Sequence, residues 1–384
     1  MKPVVRHPGE YRWETRLLAV VTATMVVFGL VSSYAASSIV AGGETGADLA
    51  LKQLIGALIG GVLLTALARI DYRLWRTMAW PLLLISLGML LVLFLPLPGS
   101  IVPTLNGARR WIDLGPATFQ PSEVARVTLV IWCAMLAAKK GALVRDLTKG
   151  VLPFLLIIGI TSGLILFEPN MSMAVLVGLV GMIVMFAAGA RIGHLILLIV
   201  AVAPIAAHQF NVEYRLKRIV AFMSPSEVTS AAGDQLHQSL IGFGTGGIFG
   251  VGFGEGQQKL GFLAYAYSDF ILSVIGEEWG LIGVLVVVML FGVFCWLGFR
   301  IARTATDPFG QFLAVGLTAA IGLAAIIHMV VTLGLMPTTG VSLPFMSAGG
   351  SGLVVSMAAT GILINIGRQR GRPAPSPPLE RDRR

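Results

Sequence analysis

An all-α polytopic membrane fold of about ten transmembrane helices is what this sequence predicts, and three observations carry that prediction. Apolar runs close to the ~20 residues needed to cross the hydrocarbon as helix recur along nearly the whole chain. Of the 384 residues 56% are hydrophobic and only 12% charged, with a mean hydropathy of +0.84, a balance that no water-soluble domain of this length needs. The basic residues fall in short loops and tails between the runs. The formal net charge of +9 therefore follows the positive-inside bias of membrane proteins and does not point to nucleic acid.

Breaks at Gly, Pro and charge divide the chain into spans at roughly 17–40, 52–70, 78–96, 122–139, 151–168, 171–190, 193–210, 269–301, 309–335 and 347–367. The first run is too long for a cleaved signal and lacks a processing site, so it is expected to stay as a helix. With the amino terminus in the cytoplasm, the inner segments collect Lys2, Arg6, Arg12 and Arg16, then Arg69, Arg73 and Arg76, then Lys139, Lys140, Arg145 and Lys149, then Arg191, Arg300, Arg303 and the basic tail. An even number of spans returns the carboxyl terminus to the same side. The expected layout is a cytoplasmic segment 1–16, a membrane domain 17–367 with a large structured extracytoplasmic loop 211–268 between the seventh and eighth spans, and a basic tail 368–384. Its Pro-rich composition predicts a disordered cytoplasmic end attracted to the lipid surface. Cys133 and Cys295 each lie inside an apolar run and read as small hydrophobes, not as a disulfide.

Two outward segments break the charge bias, and function is expected there. They are "LPLPGSIVPTLNGARRWIDLGPATFQPSE" after the third span and the long stretch from Asn211 to Ser268. Together they supply Arg109, Arg110, Arg215, Lys217, Arg218 and Lys259, cations whose convergence would suit a lipid-borne pyrophosphate, since guanidinium forks match phosphate. Ordinary anionic headgroups, or pairing with Glu213 and Asp113, are the competing use. The run "GFGTGGIFGVGFGEGQQ" follows no strand and lacks nucleotide-binding spacing; tight turns letting a re-entrant segment dip against helices explain it better. Asp269 stands where this loop enters an apolar span, a place for a general base or equally for a helix cap. Glu277 and Glu278 lie deeper, about 100° apart on a helix. One is expected to pair with an Arg or a backbone group, with proton relay as the alternative. Glu123 and Arg126, at i and i+3, are expected to pair on one helix face. No Walker A sequence, HExxH or paired CxxC occurs, so ATP hydrolysis and structural zinc find no support. No internal repeat or inverted duplication favours a carrier.

The order of these motifs resembles the SEDS family (shape, elongation, division, sporulation), whose FtsW, RodA and SpoVE members act on peptidoglycan. The matching segments are "NGARRWIDLGPATFQPSEVAR", "YRLKRIVAFMSP", "GDQLHQSLIGFGTGGIFGVGFGEGQQKLGFL", "SDFILSVIGEEWGLIG" and "MPTTGVSLPFMSAGGSGLVVSMAATGILINI". The resemblance implies inverting glycosyl transfer at the outer face of the cytoplasmic membrane, from lipid II, a disaccharide-pentapeptide on undecaprenyl pyrophosphate. It implies Asp269 as the catalytic base and Arg109, Arg110, Arg215, Arg218 and Lys259 as cations for the pyrophosphate. Supporting roles are implied for Trp111, Glu123, Arg126, Gln238, Ser239, Glu277, Glu278 and Ser347. A divalent metal, Mg2+ or Mn2+, is the implied cofactor. A class B penicillin-binding protein, with other divisome or elongasome membrane proteins, is the implied company. This chain departs from the family pattern with Tyr267 and Ser268 ahead of the aspartate, Asn170 for an Asp, Arg126 for a Lys, and Ala348 and Gly352 in the last motif. The "EPNMS" form and the last span incline the reading to the division or sporulation branch. Lipid II transport and scaffolding of a transpeptidase are the alternatives, though a scaffold needs neither an external aspartate nor clustered external cations.

Overall fold

Lipid offers the backbone no hydrogen-bond partners, so spanning segments must close their bonds internally as helices. The computed structural model describes residues 12–37, 46–104, 108–113, 115, 118–200, 218–220, 222–223 and 231–369. The helices are α1 (Arg12–Ala36), α2 (Gly46–Leu67), α3 (Arg73–Val92), α4 (Pro121–Lys140), α5 (Leu152–Phe167), α6 (Met171–Ala187), α7 (residues 192–200), α8 (Ala231–Gly246), α9 (Ile271–Arg303), α10 (Pro308–Thr332) and α11 (Gly350–Arg368). Among the described residues, eight helices are long and apolar enough to cross a membrane, and α6 is a shorter apolar one. The expected seventh span is helical over 192–200 and then passes outside the described residues. The strands β1 (Ile112–Asp113) and β2 (Thr118–Phe119) form a small antiparallel pair between α3 and α4, with Ile112 opposite Phe119.

The bundle is layered by how much apolar surface each helix hides. The most apolar stretches of α10 and α11 are each 67% buried and that of α4 61%, against 22% for α2 and α3, so α4, α10 and α11 form the centre and α2 and α3 turn Leu58, Val62 and Leu84 outward. With lipid as solvent, close helix approach depends on small residues. Added to Gly361 of α11, a Cβ would lie 2.5 Å from the Leu64 carbonyl oxygen of α2, and one on Gly60 would lie 2.6 Å from the Met357 sulfur. Cys133 and Cys295 are free thiols.

One helix is discontinuous. Gly280 in α9 sits at φ 66, ψ −162, a conformation reserved for glycine, and it breaks the intrahelical ladder. Four of the backbone groups around the break are bonded by the Gly-rich run. The N–H groups of Val251 and Gly252 donate to the carbonyls of Glu277 and Glu278 at 2.9 and 3.2 Å, and those of Leu281 and Ile282 donate to Gly247 and Ile248 at 2.9 and 3.3 Å. The approach is close enough to exclude side chains: a Cβ on Gly246 would lie 2.0 Å from the Gly276 carbonyl oxygen. The glycines thus form a re-entrant clasp against α9.

Candidate active site

The turn before α9 positions Asp269. Its backbone N–H donates to the Tyr265 carbonyl at 3.0 Å, while the helix is capped by Phe270 with no side-chain cap bond; the Asp269 carboxylate is not used to cap α9. The turn is stapled to the segment joining α10 and α11. Ser347 donates its hydroxyl to the Ser268 carbonyl at 2.6 Å and accepts from the Leu343 N–H at 2.8 Å, and the Ala348 N–H donates to the Tyr267 carbonyl at 2.9 Å. Replacing Ser347 by Ala leaves the buried Leu343 N–H and the Ser268 carbonyl without this partner, a loss of about 1–3 kcal/mol. A thermal-melting comparison should show the lower Tm, with kcat falling because the Asp269 turn loosens.

The same segment comes up against the carboxylate itself. Gly340, at φ 84, leaves room where a Cβ would lie 3.4 Å from Asp269 Oδ2. Next to it, the Val341 carbonyl accepts from Nδ1 of His328 on α10 at 2.8 Å, which assigns the proton to Nδ1. His328 was not singled out in the sequence, where it reads as one polar residue in an apolar helix. His328→Ala frees the Val341 carbonyl and is expected to cost roughly 1–3 kcal/mol, read as a drop in Tm. Asp269 is half-buried. Burial pushes its carboxyl above the usual carboxylate range, opposed by the Ser268 hydroxyl and then by Arg218 and Arg110.

Those two arginines line a cavity of about 320 Å³ beside the turn, a size in the range of small-ligand sites. One wall is the amino terminus of α6, with Asn170, Met171 and Ser172; another is Thr338 and Thr339 of the α10–α11 segment, beside an apolar side of Val175 and Ile327. Asn170 caps α6 by accepting from the Met173 N–H at 3.3 Å, so the Asn form of this position keeps a helix amino terminus, with its positive dipole end, facing the cavity. Arg110 is aimed by donating to the carbonyls of Glu168, at 3.2 Å, and Pro169, and Arg218 by donating to the Thr338 carbonyl at 2.8 Å. The arrangement is a cationic, partly apolar recess; Asp269 is not part of its lining, but it feels the charge of both arginines and lies against Gly340, the residue after Thr339 of the cavity wall.

The comparisons bear on this geometry. A family description, "Cell cycle protein", covering FtsW, RodA and SpoVE, matches residues 15–372. The chain belongs to the FtsW/RodA/SpoVE family. It is 41% identical to a probable peptidoglycan glycosyltransferase FtsW of Trichlorobacter lovleyi over 95% of this chain and 96% of that protein. It is 33% identical to stage V sporulation protein E of Bacillus subtilis over 92% and 96%. A solved peptidoglycan synthase complex that coordinates polymerization and crosslinking contains a chain superposing with a TM-score of 0.75 at 25% identity, over 92% of this chain and 98% of that one.

Not every residue marked out by the FtsW/RodA/SpoVE resemblance reaches the cavity. Lys259 requires a correction: it is 5% exposed and ion-paired to Glu278 at 2.8 Å, while also donating to the Gly254 carbonyl at 2.6 Å, so its charge is neutralised inside the clasp. Arg109 likewise donates to the carbonyls of Leu95 and Leu97 at 3.0 and 2.8 Å. It staples the loop after α3 and does not line the cavity. Arg215 and Lys217 lie outside the described residues. Glu277 accepts from the N–H groups of Gln257 at 2.8 Å and Gln258 at 3.2 Å, so each of the two deep carboxylates has a different partner, as their 100° separation requires.

Glu123 and Arg126 form their expected pair at 2.7 Å, both buried, beside Ser347 and Gly352. Ser239 of α8 bonds the Ser273 hydroxyl and donates to the Thr332 carbonyl at 2.8 Å, tying α8 to α9 and α10. Trp111 and Gln238 are half-buried in the loop before β1 and on α8. Among the described residues no three His, Cys, Asp or Glu side chains gather as metal ligands.

Proposed function

We propose that this chain is an inverting peptidoglycan glycosyltransferase that polymerises lipid II into glycan strands and releases undecaprenyl pyrophosphate, in division or sporulation. The observation that carries this reading is Asp269 within electrostatic reach of Arg110 and Arg218, the two cations that line one recess. In the reaction, the O–H bond of the acceptor's sugar 4-hydroxyl breaks and its proton passes to the Asp269 carboxylate. The oxygen attacks the donor's anomeric carbon from the face opposite the leaving group. The bond from that carbon to the pyrophosphate oxygen breaks, and its electron pair leaves with the pyrophosphate. A carboxylate whose pKa burial has raised is a stronger base. Pyrophosphate is already a good leaving group, so cations and a helix amino terminus serve its developing charge better than an acid would.

The site then faces outward from the cytoplasmic membrane with both termini inside, which the distribution of Lys and Arg supports. The likeness to a chain of a polymerizing and crosslinking complex supports a class B penicillin-binding protein as partner, alongside other divisome or elongasome proteins. A Mg2+ or Mn2+ ion enters this reading only with the substrate, its ligands supplied by phosphate oxygens and water as is usual for Mg2+. Lipid II transport is disfavoured by the carboxylate near the recess, which a carrier of the lipid does not need. The test is glycan-strand synthesis from purified lipid II in liposomes, with and without the transpeptidase and Mg2+. Strands support the reading. Transfer of lipid II across the bilayer without strands, even with the partner present, overturns it.

A further inference from the structure

The turn between α5 and α6 holds a carboxylate that the mechanism does not use. Glu168 is 2% exposed, and among the described residues neither Oε1 nor Oε2 has a hydrogen-bond partner. Its own main-chain carbonyl and that of Pro169 receive the Arg110 guanidinium, and Pro169 and Asn170, the next two residues, line the cavity. An ionised carboxylate buried without hydrogen bonds is costly, so such a group is held as the neutral acid or kept beside a compensating cation. Arg110 is that cation. It is also a cation of the anion recess, and one charge cannot fully serve both.

We propose that Glu168 is the counter-charge that sets how strongly Arg110 holds a pyrophosphate: as the neutral acid it leaves the guanidinium to the ligand, and as the carboxylate it claims it. This makes Glu168 a positioning and affinity-setting residue that acts through Arg110, and it rests on reading the recess as a pyrophosphate site. Among the described residues, the other charge on the same cavity is Arg218, which donates to the Thr338 carbonyl. α5 and α6 carry no ionisable side chain, α4 brings Glu123 and Arg126 paired to each other, and those of α3 sit at its opposite end. α10 brings His328, whose Nδ1 is engaged by Val341, and Asp269 also feels the charge of Arg110. Burial pushes the Glu168 carboxyl up to about 8, with Arg110 opposing, so the exchange falls just above neutrality. Below that pH the acid form dominates and the recess keeps its charge. As pH rises through it, Glu168 ionises and anion binding weakens.

The test is pyrophosphate binding by the full-length protein in liposomes between pH 6.5 and 9.5, comparing wild type with the isosteric Glu168→Gln. One arm uses inorganic pyrophosphate and the other a polyprenyl pyrophosphate in the bilayer. Taking the ratio of the two dissociation constants cancels the titration of pyrophosphate itself. The expected result is a wild-type affinity that falls roughly tenfold relative to Glu168→Gln across the range, the scale of one nearby charge partly screened. A step in the lipid arm alone supports the proposal and assigns the recess to the lipid-linked ligand. Superimposable profiles, with both proteins melting at the same temperature, overturn the role of Glu168 and leave the pyrophosphate site standing. No binding by either protein at any pH overturns both. Should Glu168→Gln melt lower, Glu168→Asp, which keeps the ionisation, decides: a retained step supports the proposal and its loss overturns it.

Discussion

Asp269→Asn is expected to reduce glycan-strand synthesis by roughly 10²- to 10⁴-fold, the span that loss of a general base produces, while the protein remains folded and melts at a higher temperature at neutral pH. The two effects share one cause. Burial raises the Asp269 carboxyl above its usual range, so the folded state binds a proton more readily than the unfolded chain does. Stability is then fullest below the unfolded value and falls as pH rises through the folded one, and the ionised aspartate at neutral pH is a net cost that Asn removes. Activity runs the other way. The base works only when ionised, so the wild-type rate falls as pH drops through the raised value, and that acid limb disappears from whatever residual rate the Asn variant keeps. Pairing a pH–rate profile with a melting curve tests both. A variant that loses activity only because it unfolds would contradict the assignment, and so would one that polymerises at the wild-type rate.

Lys259→Met is expected to destabilise the protein by about 3–5 kcal/mol, the cost of leaving a buried partner charge uncompensated. Glu278 is 3% exposed and has Lys259 Nζ at 2.8 Å; with the ammonium gone, its carboxylate stays buried against the clasp. Adding Glu278→Gln should restore most of the lost Tm, because removing both charges is far cheaper than removing one. The alternative, that Lys259 is a pyrophosphate ligand, predicts unchanged melting and weakened anion binding, with no rescue from the second substitution. Thermal melting of the single and double variants in detergent distinguishes these outcomes.

Much of the fold was legible because the bilayer imposes a crude rule, a long apolar run bounded by charge or Pro, and α1 to α6 and α9 to α11 obey it. The Asp269 position was legible too, since an acid at the mouth of an apolar span is rare for energetic reasons. What the sequence could not show was which cation answers which anion. Lys259 and Glu278 are separated by 19 residues and meet where the re-entrant segment folds back against α9. Arg109 is bound by main-chain carbonyls, which leave no mark in a sequence. Glu168 was not singled out in the sequence, where it ends the fifth apolar run; the one available signal was an acid placed directly between that run and the Pro-Asn that opens α6. The clasp itself is made of backbone bonds, and Gly density was its only trace.

The break at Gly280 also separates two mechanical tasks. Membrane helices normally answer a thinner or thicker bilayer by tilting or kinking along their whole length. Here the stretch beyond Ile282, as far as Arg303, can follow the lipid, while the helix on both sides of the break is fixed to residues 247–252, through Glu277 and Glu278 before it and Leu281 and Ile282 after it. The height of Asp269 is therefore referenced to the protein's own re-entrant segment and not to hydrophobic thickness, so the enzyme's working geometry tolerates a change of lipid composition that would shift an unbroken helix of 33 residues.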